Sequence, residues 1–390
     1  MRTIGVVTGS RADYGIYQPL LRAIAADPAL RLRLYVTGMH LSPAHGRTVA
    51  MIEQDGFAIA ERIETLHGAD APEDIAQAIG RGVLGFAQAF GRARPDLLVV
   101  LGDRFEMYAA ALAALPFQIP CAHLHGGELT EGAIDDALRH SLTKLSHLHF
   151  VSTEPYARRV RQLGEEAWRV TVSGALALDA LDTVPLLTRA ELEERFGLDL
   201  ARPPLLVTFH PVTLEHEQAG AQTDELLAAL ADAALPVVFT APNADTHASH
   251  VRRAIEDFVR RHADARLVEN FGAHGYFSMM ALAAAMVGNS SSGIIEAASF
   301  KLPVVNIGTR QGGRVRGKNV IDTGGARAEV LTAIRRAVAP TFRATLADLK
   351  NPYSTGEPAA GKVVRRLREI PLDDRLLRKR FHDFGTEVGG

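Results

Sequence analysis

The sequence predicts an α/β protein built from two Rossmann-like, doubly wound domains. Short runs rich in valine, isoleucine and leucine alternate with longer segments of helical period, and this alternation pauses once near the middle of the chain. Apolar strands that alternate with helices are typical of a parallel sheet covered on both faces. The length of 390 residues also fits two large domains, since one domain usually has about 100 to 200 residues.

The first domain is predicted to span residues 1–178. Its strands are indicated by "TIGVVTG", "RLRLYVTG", "DLLVVLGD" and "IPCAHLHGG", and its helices by segments such as "YGIYQPLLRAIAAD" and "EMYAAALAAL". The alternation then stops, so we expect a linker over residues 179–203.

The second domain is predicted over residues 204–350. Its strands are indicated by "LLVTFHP", "LPVVFTAPN", "ARLVEN", "AAAMVGNSSSG" and "KLPVVNIGT". The charged segment that follows, "KVVRRLREIPLDDRLLRKRFHDF", predicts a helical tail within residues 351–390. Acidic residues are interspersed in it, which favours a solvated packing element over a basic patch for a partner.

Composition argues against several classes of function. The 43 basic and 45 acidic side chains are nearly balanced, so nucleic acid is not an expected partner. No apolar run approaches the roughly 20 residues of a membrane-spanning helix, and the first residues lack the pattern of a signal peptide. Cys121 is the single cysteine, which excludes an internal disulfide. We therefore expect a cytoplasmic protein that binds a small molecule.

Unusual polar residues follow the predicted strands, where open parallel sheets bind their ligands. The loop "TGSRADYG" lacks the dinucleotide pattern GxGxxG, but its backbone N–H groups, Arg11 and Asp13 are candidates for ligand contacts. Asp13 fits equally well as a helix N-cap. In "LGDRFE", Asp103 is a candidate for proton transfer, and Arg104 either keeps Asp103 ionised or pairs with it structurally.

The stretch "HLHGGE" is open to two interpretations. His123 and His125 point to the same face of a strand, as a metal site would require. A catalytic metal also needs a third ligand, and spacing identifies none, so we expect neither a metal nor another cofactor. The two glycines allow a sharp turn that delivers Glu128 to the strand end, and the next helix carries Asp135 in its first turn.

The second half of the sequence carries an anion-binding pattern. In "GNSSSGIIEAA", three serines and flanking glycines lead into a predicted helix, an arrangement suited to a diphosphate. A single N-capping serine is the simpler explanation, but it would not require three. Other polar residues of this half are candidates at strand ends or near the helix start: His210, Asn243, Glu296 and Arg310.

Taken in order, these motifs resemble the hydrolysing UDP-N-acetylglucosamine 2-epimerase family, including its bacterial sialic acid and legionaminic acid branches. The similarity extends over nearly the whole chain through "GSRADYG", "TGMH", "LGDRFE", "HLHGGE", "IDDALRHSLTKLSHLHF", "FHPVT", "PNAD", "GNSSSGIIEA" and "NIGTRQGGRVRG". The resemblance implies a GT-B arrangement with an interdomain cleft, a tail that packs back on the first domain, and a homodimer or homotetramer.

The resemblance also implies the chemistry and the residues that perform it. A base removes the C2 proton while UDP leaves C1, and water then adds to the resulting glycal with inversion at C2. The expected catalytic residues are Asp103, His125, Glu128, Asp135 and His210. The expected substrate-binding residues are Arg11, Asp13, Tyr14, His40, Arg104, Asn243, Ser290, Ser291, Ser292, Glu296 and Arg310.

The expected reaction converts UDP-N-acetylglucosamine and water into N-acetylmannosamine and UDP, in the biosynthesis of sialic-type acids. The same chemistry on UDP-2,4-diacetamido-2,4,6-trideoxyglucose is the first alternative. The remaining alternatives, in order of preference, are a non-hydrolysing epimerase and then a GT-B glycosyltransferase or a non-catalytic sugar-nucleotide binding protein. Animal members of the family carry a glutamate where His125 stands, so the sequence leaves open whether His125 or Glu128 handles the proton.

Overall fold

The computed structural model describes residues 1–43, 46–67, 71–130, 134–210, 219–240 and 248–383. The chain divides into two compact units. The first comprises Met1–Leu129, Ile134–Ala180 and the segment that begins at Tyr353, and the second consists mainly of Leu181–Pro352. None of the described helices is long and apolar enough to cross a membrane.

The first unit is built on a parallel sheet which, in the described residues, has seven strands in the order β3-β2-β1-β4-β5-β6-β7. The order reverses between β1 and β4, which creates the crevice where doubly wound sheets bind ligands. The strands are β1 (Arg2–Thr8), β2 (Leu30–Thr37), β3 (Ile59–Ile63), β4 (Leu97–Leu101), β5 (Cys121–Leu124), β6 (Leu148–Val151) and β7 (Val170–Val172).

Helices cover both faces of this sheet because its central strands are apolar on both sides. Val6 belongs to a core cluster with Leu20, whereas the next residue, Val7, belongs to a different cluster with Phe86. Alternate residues of a strand point to opposite faces, so each face builds its own core. The helices are α1 (Arg11–Ala26), α2 (Val49–Gln54), α3 (Pro72–Arg92), α4 (Phe105–Ala114), α5 (Ile134–Leu145), α6 (Glu154–Gln162) and α7 (Asp179–Thr183).

The second unit repeats this architecture with six parallel strands among its described residues, in the order β10-β9-β8-β11-β12-β13. They are β8 (Leu205–Thr208), β9 (Val237–Thr240), β10 (Ala265–Val268), β11 (Ala285–Gly288), β12 (Val304–Ile307) and β13 (Val320–Thr323). The helices are α8 (Arg189–Phe196), α9 (Ala219–Ala233), α10 (Ala248–Arg261), α11 (Gly272–Leu282), α12 (Ser291–Ile295), α13 (Arg327–Val338) and α14 (Pro340–Ala344). The two doubly wound sheets confirm the predicted fold class.

The C-terminal segment forms two helices of the first unit, α15 (Ala359–Glu369) and α16 (Asp374–Leu377). Val363 and Leu367 enter the same core cluster as α1. The carboxylate of Asp179 accepts hydrogen bonds from the backbone N–H groups of Ala359 (2.8 Å) and Ala360 (2.6 Å), which caps the start of α15.

Three features of the fold differ from the sequence-based expectation. Residues 179–203, expected to be a linker, contain α7 and α8. Strands β3, β7 and β13 were not predicted from the sequence, because these edge strands are short and half exposed and lack a clear apolar run. The charged tail breaks into two helices at Ile370, since the following proline disfavours helical backbone at that position.

Candidate active site

Three of the predicted catalytic residues lie where β4 and β5 leave the first sheet. Asp103 follows β4 by two residues, and His125 directly follows β5. The two strands pair Leu101 with Leu124, so both loops start side by side at the same edge. The structure therefore brings Asp103, His125 and Glu128 into one region.

One buried arginine contacts both loops. Arg139 lies on α5, and its side chain is 3% exposed. Its Nη2 donates to Oδ2 of Asp103, and its Nη1 donates to the carbonyl oxygen of Glu128 at 3.2 Å. Nη1 is also 3.5 Å from Oδ1 of Asp136. Arg139 therefore forms the hydrogen-bonded ion pair with Asp103, and the sequence neighbour Arg104 interacts with Asp103 through its charge.

His125 and Glu128 form a hydrogen-bonded pair. Nδ1 of His125 lies 2.8 Å from Oε1 of Glu128, and the hydroxyl of Ser152 donates to the same oxygen at 3.1 Å. A carboxylate only accepts hydrogen bonds, so Nδ1 carries the proton, and in the neutral ring Nε2 holds the lone pair. Nε2 is buried and has no hydrogen-bond partner among the described residues. The pair thus presents an imidazole nitrogen that can accept a proton.

The backbone of this loop adopts an uncommon conformation. His125 has φ +61°, in the left-handed region that costs a residue with a Cβ about 1 to 2 kcal/mol. At Gly127 (φ +78°), a Cβ would lie 2.5 Å from the carbonyl oxygen of Tyr156, so this position requires glycine. Such strain persists where the surroundings enforce it, and it is concentrated at functional sites.

A second charged group lies at the ends of β1 and β4. The guanidinium of Arg104 donates to both carboxylate oxygens of Glu106, at 3.1 and 2.7 Å, and lies 3.9 Å from Asp13. Burial raises the pKa of Asp13 to about 6, although Arg104 opposes this shift. The N-cap of α1 is Ser10, and the Asp13 carboxylate instead accepts from the backbone N–H of Gly9 at 3.2 Å. The N-cap interpretation of Asp13 is therefore wrong.

Other predicted contacts of this region are engaged within the protein. The Tyr14 hydroxyl donates to Asp55 at 2.6 Å. Both nitrogens of the buried His40 contact threonine hydroxyls, at 3.0 and 2.8 Å, and burial lowers the pKa of His40 to about 4. Both side chains suit a supporting role better than a substrate contact. Arg11 is exposed at the start of α1, and Asp135 is partly exposed at the start of α5.

His123 has a structural environment. Its Nε2 donates to the carbonyl oxygen of Gly102 at 2.7 Å, and its Nδ1 lies 3.2 Å from the hydroxyl of Thr143. Burial lowers the pKa of His123 to about 3, so the ring is neutral. His149 on β6 is the register partner of His123. Among the described residues, no three His, Cys, Asp or Glu side chains form a possible metal site.

In the second unit, the three serines surround the start of α12. Ser290 is the N-cap, and its side chain accepts from the backbone N–H of Ser292 at 3.3 Å. The side chain of Tyr276, on α11, hydrogen-bonds to Ser290, Ser292 and Thr208, and burial raises the pKa of Tyr276 to about 12. The serine loop is thus joined to α11 by one tyrosine.

Asn289 connects this loop to two other predicted residues of the unit. Its side chain accepts from the backbone N–H of His210 and donates to the His210 carbonyl, both at 2.8 Å. Its own carbonyl accepts from Arg310 at 3.0 Å. Burial and the charge of Arg310 lower the pKa of His210 to about 4. Glu296 directly follows α12, and Asn243 lies outside the described residues.

Comparison with known proteins identifies the family of the chain. The sequence profile described as UDP-N-acetylglucosamine 2-epimerase matches residues 22–368. The chain belongs to this epimerase family. It is 37% identical, over 97% of its length and 99% of the relative, to the UDP-N,N'-diacetylbacillosamine 2-epimerase (hydrolyzing) of Legionella pneumophila. It is 40% identical, over 83% of its length and 84% of the relative, to the GDP/UDP-N,N'-diacetylbacillosamine 2-epimerase (hydrolyzing) of Campylobacter jejuni.

A solved structure of the epimerase family has the same fold. The structure of UDP-GlcNAc 2-epimerase from Neisseria meningitidis bound to UDP-GlcNAc superposes with a TM-score of 0.81 at 18% identity, covering 94% of this chain and 99% of that one. The resemblance inferred from the ordered motifs and the predicted GT-B-type fold are both confirmed.

Four residues that contact the predicted site residues were not predicted from the sequence: Arg139, Ser152, Glu106 and Tyr276. Arg139 had a usable signal, because α5 buries Arg139 together with Leu142 and Thr143, so a charged residue occupies its apolar face. Glu106 is also a fully buried charge, in a helix otherwise rich in alanine. Ser152 and Tyr276 contact the site only through tertiary structure.

Proposed function

We propose that the chain hydrolyses a UDP-linked 2-acetamido sugar with inversion at C2, releasing UDP and the free 2-epimer. Family membership and the hydrolysing relatives support a UDP-sugar substrate and water as the second reactant. The observation that carries the proposal is the His125–Glu128 pair, which leaves Nε2 of His125 with a lone pair and without a hydrogen-bond partner among the described residues. This is a base suited to a carbon-bound proton.

The first step is an elimination. Nε2 of His125 accepts the C2 proton, the C–H electrons form the C1–C2 double bond, and the C1–O bond to UDP breaks. Glu128 accepts the Nδ1 proton of His125, which fixes the tautomer and stabilises the imidazolium as it forms. In this assignment His125 touches the C2 proton, and Glu128 acts through His125.

The departing diphosphate requires positive charge and hydrogen-bond donors. In the second unit, the hydroxyls of Ser290, Ser291 and Ser292 and the guanidinium of Arg310 are suited to this role, with the backbone N–H groups at the start of α12. Glu296 and Asn243 are proposed to accept hydrogen bonds from the ribose and base. The second unit thereby stabilises the leaving group.

The second step adds water to the glycal. The oxygen of water bonds to C1, and a proton returns to C2 on the face opposite to the first abstraction. Asp103, held by Arg139, is suited to accept the proton of the attacking water. Asp135 is the remaining acid candidate for C2, because His210, whose pKa burial and Arg310 lower to about 4, is neutral at neutral pH. The balance is one UDP-sugar and one water converted to UDP and the free 2-epimer.

For the sugar, we propose UDP-N,N'-diacetylbacillosamine, the 2,4-diacetamido-2,4,6-trideoxy substrate considered above as the first alternative. Both hydrolysing relatives described above are named for this sugar, which outweighs the initial preference for UDP-N-acetylglucosamine. The two sugars are alike at C1 and C2, so the chemistry is the same for both. A free 2-epimer is a suitable precursor of a sialic-type or legionaminic-type acid.

The test is incubation with each UDP-sugar in deuterated water, with and without a chelator, followed by proton and phosphorus NMR. We expect UDP and a free 2-epimer deuterated at C2, formed faster from the diacetamido sugar and insensitive to the chelator. A UDP-linked 2-epimer indicates a non-hydrolysing enzyme, and sugar transfer to an added acceptor indicates a glycosyltransferase. Binding without turnover of either sugar contradicts the proposal.

A further inference from the structure

The guanidinium of Arg139 joins three segments at the edge of the first sheet. It contacts the carboxylate of Asp103 after β4, the backbone carbonyl of Glu128 after β5, and Asp136 on its own helix. The side chain is almost completely buried. A buried cation requires fixed acceptors, and the planar fork of a guanidinium sets the angles between them as well as the distances.

A second contact from the same helix supports the same loop. Thr143 lies one turn beyond Arg139 on α5, and its hydroxyl is 3.2 Å from Nδ1 of His123. Nε2 of His123 in turn donates to the carbonyl oxygen of Gly102, next to Asp103. Residues four apart lie on one helical face, so Arg139 and Thr143 act from the same side of α5. Arg139 holds the side chain of Asp103, and Thr143 supports the backbone at Gly102 through His123.

Arg139 contacts the Asp103 carboxylate directly, but it reaches the His125–Glu128 pair only through backbone. Arg139 contacts the Glu128 backbone, whereas the Glu128 carboxylate is held by His125 and Ser152. The α5 face is thus placed to set the spacing between the Asp103 carboxylate and the His125 ring. A misplacement of about 1 Å between reacting groups can cost about 100-fold in rate.

We propose that Arg139 is a positioning residue for the epimerase reaction, holding the Asp103 carboxylate and the His125–Glu128 loop at a fixed separation, with Thr143 and His123 as a second support. The inference rests on the proposed function, because the groups held are those assigned to proton transfer. The inference also assigns a role to His123, because its neutral ring connects Thr143 on α5 to the carbonyl oxygen of Gly102.

The variants Arg139→Lys, Arg139→Ala and Thr143→Val test this inference against UDP affinity, KM, kcat and thermal stability. We expect kcat to fall by about 100-fold in both Arg139 variants and by roughly tenfold in Thr143→Val, with KM and the Kd of UDP within about threefold of wild type. Lysine retains the positive charge but lacks the planar, forked guanidinium, so Arg139→Lys is not expected to be more active than Arg139→Ala.

The control is Arg169, another fully buried arginine of the same unit. Its guanidinium donates to backbone carbonyls of His147 (3.2 Å) and Leu376 (2.9 Å), away from the proposed catalytic groups. Arg169→Ala should lower thermal stability while the folded fraction keeps the wild-type kcat. Millimolar guanidinium should raise the kcat of Arg139→Ala about tenfold or more by filling the vacated position, and should not raise that of Arg169→Ala.

Three outcomes would overturn the inference. One is kcat near the wild-type value in Arg139→Ala, and another is a loss of kcat that follows the unfolded fraction and does not respond to guanidinium. The third is a loss of UDP affinity equal to the loss of kcat/KM, which would make Arg139 a binding residue. If the wild-type protein turns over neither UDP-sugar, the proposed function fails first, and this inference fails with it.

Discussion

Nδ1 of His125 lies 2.8 Å from Oε1 of Glu128, in a loop where His125 itself has a left-handed backbone. The carboxylate fixes which ring nitrogen of His125 carries the proton. Sequence alone left His125 and Glu128 as equal candidates for the C2 proton. The hydrogen bond distinguishes them, because it fixes the proton on Nδ1 and leaves the lone pair on Nε2 of His125 as the proton acceptor of the pair.

The first prediction separates the roles of these two residues. His125→Gln should lower kcat by about 1,000-fold or more, because it removes the base, whereas Glu128→Gln should lower it by roughly 100-fold, because the base remains. The measurement is release of UDP together with deuterium incorporation at C2. His67→Gln, at an exposed position, is the control and should retain wild-type rates. A larger loss in Glu128→Gln than in His125→Gln would reverse the assignment.

The second prediction concerns Asp103. Asp103→Asn should abolish turnover while sparing UDP binding, because asparagine keeps the shape but cannot accept a proton. The amide also places an uncharged group beside Arg139. Calorimetry should give a Kd for UDP within about threefold of wild type. Asp103 is assigned an interaction that acts only in the transition state, so its removal leaves ground-state binding unchanged. Activity near the wild-type level would contradict the assignment.

Much of the fold was readable because the central strands are continuous apolar runs. The run "DLLVVLGD" predicts β4 and also places Asp103 at its end, since polar residues directly after such a run lie at the carboxyl edge of the sheet. The edge strands could not be read in this way. In β3 only Ile63 is buried and in β13 only Ile321, so neither short segment has an apolar run that distinguishes it from a loop.

The partners of the site residues were harder to predict than the residues themselves. Asp103 and Arg104 are adjacent in sequence, so pairing between them was the natural expectation. In the structure Arg104 pairs with Glu106 and Asp103 with Arg139, which is distant in sequence. Sequence spacing reports which side chains share an element, whereas the partner across an interface is decided by the packing of α5 on the sheet.

The third prediction concerns the serine loop of the second unit. Arg310→Met should weaken UDP binding by about tenfold or more, because it removes a charge-assisted contact to the diphosphate. Tyr276→Phe should weaken it less, by roughly threefold, through loss of the hydroxyl that joins Ser290 and Ser292. Arg195→Met, at an exposed position of α8, is the control. Unchanged UDP affinity in Arg310→Met would remove this residue from the anion site.

The fourth prediction uses two glycines with opposite environments. Gly127→Ala should destabilise the protein by several kcal/mol, because its Cβ would meet the Tyr156 carbonyl in a left-handed backbone. Gly80→Ala, inside α3 with nothing within 4 Å of the new Cβ, should stabilise it by about 0.5 to 1 kcal/mol. Urea unfolding measures both. Equal effects of the two substitutions would contradict this account of the loop.

The last prediction concerns a charged cluster that holds the C-terminal segment to the first unit. The fully buried carboxylate of Glu165 contacts His149 at 3.0 Å, Lys144 at 2.6 Å and Lys379 at 2.8 Å. Burial alone would raise the pKa of Glu165, but the hydrogen bond of His149, together with Lys379 and Lys144, lowers it from the ordinary 4.5 to about 2. The folded state therefore favours the ionised carboxylate.

A lowered carboxylate pKa stabilises the fold above the unfolded-state value and ceases to do so as the pH falls through the folded-state value. Ionised Glu165 should therefore raise the free energy of unfolding at neutral pH, and this contribution should be lost as the pH falls from 4.5 to about 2. Glu165→Gln should be less stable at neutral pH and show a flatter decline across this window, whereas Glu194→Gln, at an exposed position of α8, should match wild type. Urea unfolding over this pH range measures the difference, and parallel curves for Glu165→Gln and wild type would show that the cluster does not hold the segment through charge.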